Sequence, residues 1–70
     1  MDYVVIIEKA PDGSYSAYVP DLPGCVSCGE TMDEVRQLIQ EAIPLHLELM
    51  REQGEPIPMA SSTAVVVHAA

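Results

Sequence analysis

The chain has 70 residues, which is one domain spanning 1–70, and at this size a fold buries only about 60% of its unfolded surface and gains from a staple or an oligomeric contact. A 49% share of hydrophobic residues excludes a disordered chain. The formal charge of −8 argues against direct nucleic-acid binding, because Lys9, Arg36 and Arg51 are the only Lys and Arg residues and form no cluster.

Residues Tyr3 to Glu8 are dominated by β-branched side chains and predict a first strand. Both of its faces are apolar, with Tyr3, Val5 and Ile7 on one and Val4 and Ile6 on the other. Pro11-Asp12-Gly13 is a turn signal, and Tyr15 to Val19 predicts a second strand paired with the first as a hairpin. Pro20-Asp21-Leu22-Pro23-Gly24 then forms a rigid turn, with φ restricted at two prolines and free to be positive at Gly24. Cys25 to Cys28 predicts a short third strand.

Thr31 and Glu34 have capping-box spacing and open a helix. At 100° per residue, Met32, Val35, Leu38, Ile39, Ala42, Ile43, Leu45, His46, Leu49 and Met50 share one broad apolar arc. Glu30, Glu34, Glu41, Glu48 and Glu52 form a narrow acidic stripe beside it. Pro44 interrupts the backbone ladder and predicts a kink, while Gly54 and Pro56 stop the helix. Thr63 to His68 predicts a fourth strand, returning parallel to the first by a right-handed crossover. One helix on one face leaves Val4, Ile6 and Tyr18 uncovered, so that face predicts self-association as a dimer or a dimer of dimers.

The turn Pro20-Asp21-Leu22-Pro23-Gly24-Cys25, the helix start Gly29-Glu30-Thr31-Met32-Asp33-Glu34, Glu41-Ala42-Ile43 and Gly54-Glu55-Pro56-Ile57-Pro58 follow one another in an order that resembles the HicB family. These proteins are the antitoxin half of HicA–HicB toxin–antitoxin pairs. The resemblance runs from Tyr3 to Pro58. It implies an α+β fold of order β-β-β-α-β, a truncated RNase H-like domain with a three-stranded antiparallel meander, a parallel fourth strand and one helix on the sheet. It also implies a non-enzymatic protein that binds and neutralises a small basic HicA-like toxin that cleaves mRNA. Many HicB proteins carry a C-terminal DNA-binding module; this sequence reaches Ala70 directly after the predicted fourth strand, so the expectation is a short form without that module, which leaves participation in operator binding open.

An acidic surface suits a basic partner and speeds encounter with it. The expected contact surface combines Asp21, Leu22 and Pro23 of the turn with Glu34, Glu41, Glu48 and Glu52 of the helix edge. Asp21 has a second reading, as an acceptor for backbone amides of its own turn. Two other function classes stay open: a solitary oligomeric scaffold for a small ligand or metal, and a degenerate RNase H-like enzyme. Two-metal nuclease chemistry needs converging carboxylates, and Asp2 and Glu8 lie at opposite ends of the first strand. Cys25 and Cys28 have C-x-x-C spacing, but on a strand residues three apart point to opposite faces, so packing roles are expected. His46 falls within the apolar arc and reads as a packing residue, and His68 ends the last strand. No cofactor or metal ligand set is legible. No basic-then-apolar leader and no apolar run of about 20 residues is visible, so a cytoplasmic protein is expected.

Overall fold

The computed structural model describes residues 2–70. Three strands, β1 (Ile6–Lys9), β2 (Tyr15–Tyr18) and β3 (Val26–Gly29), precede one helix, α1 (Met32–Glu52). The strands form an antiparallel meander in the order β1-β2-β3. The register aligns Ile6 with Tyr18 and Val26, and Ile7 with Ala17 and Ser27. Alternation then gives the sheet two faces. Ile7, Tyr15 and Ala17 face α1 and the core, whereas Ile6, Tyr18 and Val26 form a row on the opposite face.

β1 starts at Ile6 rather than at Tyr3. Its partner β2 ends at Tyr18, and the chain then turns away at Pro20, so residues 3–5 have no strand to pair with. Tyr3 and Val5 still pack against the core as half-buried side chains.

The β2–β3 connection is two successive turns. Leu22 donates its N–H to the Val19 carbonyl at 3.0 Å, and Cys25 donates to the Leu22 carbonyl at 3.1 Å. The second has Pro23 at its first central position and Gly24, φ 85°, at its second, the arrangement of a type II turn. Between the turns Leu22 is driven inward and is 0% exposed.

α1 is opened by Thr31, whose hydroxyl accepts the Glu34 N–H at 3.1 Å. The Glu34 carboxylate reaches back to the N–H of Glu30 at 3.2 Å, so Glu30 belongs to the approach to the helix and not to its outer stripe. The helical span is continuous through Pro44. It ends in a Schellman arrangement. The Glu55 N–H meets the Met50 carbonyl at 2.9 Å, the Gly54 N–H meets the Arg51 carbonyl at 3.1 Å, and Gly54 takes φ 72°. The core is Ala17, Val19, Leu22, Cys25, Val35 and Ile39. α1 packs chiefly on β3, then on β2, and least on β1.

The predicted fourth strand is not formed. Residues 55–70 carry no strand, and Val65, Val66 and Val67 are exposed, Val66 completely. The reason lies in the preceding segment. The Tyr3 hydroxyl donates to the Pro58 carbonyl, and Asp21 grips Ser61 and Ser62. These two anchors draw the chain from the start of β1 to the β2–β3 connection, across the end of the sheet. The segment therefore does not run back along β1, and the parallel crossover expected for a truncated RNase H-like domain is missing.

Candidate functional site

The residues expected to contact a partner fall into separate roles. Leu22 is a core side chain with no exposed surface, so its expected partner contact is replaced by a packing role. Asp21 does not bond its own turn. Its Oδ2 accepts the backbone N–H groups of Ser61 and Ser62, each at 3.0 Å. Its Oδ1 accepts the two serine hydroxyls, at 3.0 and 2.9 Å. The Ser62 amide is the main reason that the Asp21 carboxyl sits below its ordinary 3.8; partial desolvation opposes it, and the remaining serine donors add to the lowering. Asp21 is thus a latch for the segment after α1. Glu34 is tied into the helix cap. Of the seven expected contact residues, Pro23, Glu41, Glu48 and Glu52 remain exposed without a structural bond of this kind.

Glu41, Glu48 and Glu52 lie on one edge of α1, within a sector of about 40°. Next to that edge runs a second sector of about 40° holding Leu38, Leu45 and Leu49, all exposed, with Leu45 at 67%. The Leu38, Leu45, Leu49 spacing was visible as part of the apolar arc. Sequence could not show that α1 turns only Val35 and Ile39 fully inward and leaves this flank open. Between the flank and β3 lies a groove of about 280 Å³, lined by Gly24, Cys25, Val26, Ala42, Leu45, His46 and Leu49. The His46 ring rests beside Gly24: a β-carbon there would sit 3.8 Å from its Cε1.

The cysteines have different surroundings, Cys25 at the end of the β2–β3 connection and Cys28 within β3. Cys25 is buried, and burial pushes its thiol pKa up; Cys28 is exposed on β3. A thiol held in its protonated form by burial is a packing group rather than a nucleophile. Among the described residues, no three His, Cys, Asp or Glu side chains gather as a metal site. Asp12 is occupied by Ser14, whose hydroxyl and amide it accepts at 2.7 and 3.0 Å. The Lys9 ammonium lies 5.8 Å from the Tyr15 ring centroid, which engages one of the few cations on the chain's own surface. Among the described residues, no helix is long and apolar enough to cross a membrane.

Val4 and Ile6 are half-buried and stand outside the residues packed on the core, and Tyr18 is 40% exposed. The register adds Val26 to this open face beside Ile6 and Tyr18.

Comparison with known proteins places this arrangement. The family described as HicB-like antitoxin of bacterial toxin-antitoxin system matches residues 3–70. A UPF0150 protein of Thermoplasma acidophilum is 42% identical over 69 residues, covering 99% of this chain and 100% of that protein. Antitoxin HicB 1 of Photorhabdus laumondii is 30% identical over 59 residues, or 84% of this chain and 38% of that protein. The crystal structure of the N-terminal domain of Burkholderia pseudomallei antitoxin HicB superposes with a TM-score of 0.71 at 37% identity, covering 84% of this chain and 69% of that one.

Proposed function

Because the chain belongs to the HicB-like antitoxin family of bacterial toxin–antitoxin systems, we propose that it binds and neutralises a small basic HicA-like toxin that cleaves mRNA. The observation that carries this reading is the unbonded acidic edge of α1. Glu41, Glu48 and Glu52 stand exposed in a row on a chain of net charge −8. A ribonuclease must attract phosphate with a cationic face, and a row of carboxylates is complementary to such a face. Contact there neutralises the field that draws RNA and blocks access to the catalytic groups. The protein acts by occlusion, in the cytoplasm, without chemistry of its own and without a cofactor. Pro23, beside the latch at Asp21, extends the contact surface. Val4, Ile6 and Tyr18 form a face for self-association, to which Val26 is added.

Stopped-flow association with the purified cognate toxin tests the acidic edge. Charge steering is screened as salt rises, so the association rate should fall steeply between low and physiological ionic strength. Glu41→Lys combined with Glu48→Lys should slow association about tenfold or more and change dissociation much less. An association rate indifferent to both salt and charge reversal would reduce the acidic edge to a solvated surface.

A further inference from the structure

We propose that Thr63–His68 is an exchange strand, which leaves its own fold and fills the groove between β3 and α1 of a second copy. The segment reads Thr-Ala-Val-Val-Val-His and carries no carboxylate, lysine or arginine. Three adjacent valines are among the strongest strand formers. In the single chain they are nevertheless bare, with Val65 77%, Val66 101% and Val67 79% exposed. The overall dimensions reflect the same projection. The radius of gyration is 13.5 Å, against roughly 11 Å for a compact chain of this length, and the longest axis is 44 Å.

The receiving surface is the outer edge of β3. A three-stranded sheet has two free edges, β1 and β3. β1 carries the charges Glu8 and Lys9, which discourage strand addition, and its entry at Tyr3 is already tied to Pro58. β3 reads Val-Ser-Cys-Gly, with no charge and no proline, so its outward N–H and C=O groups are undefended. Beside that edge lies the groove lined by Gly24, Val26, Leu45, His46 and Leu49. Four successive apolar side chains, Ala64 to Val67, suit a seat with apolar cover on the α1 side and Val26 on the other.

The latch makes a reciprocal exchange between copies geometrically possible. Asp21 fixes Ser61 and Ser62 at the β2–β3 connection, and Gly24 of that same connection lines the groove. The point from which each arm departs therefore adjoins the site that receives the other. Two copies related by a two-fold axis near this turn can trade arms, the six residues Thr63–His68 spanning roughly 20 Å when extended. The body of the protein is strongly acidic while the arm is uncharged, so the arm approaches its partner without repulsion. Glu41 and Glu48 lie outside the filled groove and stay available to a basic partner.

Complementation between two full-length variants tests this. One replaces Val65, Val66 and Val67 with Asp; the other replaces Leu45 and Leu49 with Asp. All five positions are exposed, and far-UV circular dichroism should show both variants folded. Sedimentation equilibrium of the parent chain should give at least twice the chain mass of 7.6 kDa. Each variant alone should fall to a smaller assembly, no larger than the Val4, Ile6 and Tyr18 face sustains by itself. An equimolar mixture should exceed the mass of either variant alone, since one intact arm then meets one intact groove. A parent chain of single mass, an arm variant that associates as well as the parent, or a mixture no larger than its components would each overturn the exchange. None of these results bears on the acidic edge, which is read separately by toxin association.

Discussion

Replacing Leu22 with Ala separates a packing role from a contact role in the turn that was expected to meet a partner. Leu22 is 0% exposed and belongs to the cluster with Ala17, Val19, Cys25, Val35 and Ile39. Truncating a fully buried leucine costs about 3 kcal/mol, from lost transfer energy and the cavity left behind. A 70-residue domain has a total stability of roughly 3.5–10 kcal/mol, so this one change removes a third or more of it. For a domain of this size the expected fall in Tm is roughly 12–24 °C. Thermal and urea unfolding by circular dichroism measures it, at one fixed protein concentration because association shifts apparent stability. Pro23→Ala is the companion, since Pro23 is exposed and its loss should cost about 1 kcal/mol or less. Toxin affinity is measured on both variants at a temperature where both are folded. If Leu22→Ala lowered Tm by less than about 5 °C while weakening the toxin complex, the packing assignment would be wrong and Leu22 would be a contact residue.

Gly29→Ala should destabilise the fold by about 1–3 kcal/mol, because a β-carbon at Gly29 would lie 2.9 Å from the Val35 backbone nitrogen and 3.1 Å from Glu34 Oε1; urea unfolding checks this, and a neutral result would show that α1 is free to shift away from β3. Asp21 titrates below its ordinary value in the folded chain, so its contribution is fully present above about pH 3.8 and is lost as pH falls through the lower folded value. Asp21→Asn should accordingly flatten the acid limb of a stability-against-pH curve, and it should speed hydrogen exchange at the Ser61 and Ser62 amides while leaving the amides of α1 protected.

Most of the local architecture follows from neighbours a few residues apart, and that part was legible in the sequence. The Thr31–Glu34 cap, the Pro23-Gly24 turn and the Gly54 helix stop depend on backbone preferences and on bonds spanning five residues or fewer, and the three strands show as β-forming runs joined by short connections. The order of these motifs also carried the family resemblance, because it needs no distances. The tertiary structure decided everything that links distant residues. Asp21 and Ser61 are 40 residues apart, and no local preference predicts that a turn aspartate will take four donors from two serines on a passing segment. That latch, with the Tyr3–Pro58 bond, determines that the valine-rich segment leaves the sheet instead of pairing with β1. Leu22 read as a partner-contact residue of the turn in one dimension and belongs to the core in three, because two successive turns fold it inward. A strand signal records that a segment has the chemistry to pair; which edge it can reach is set by where the rest of the chain is anchored.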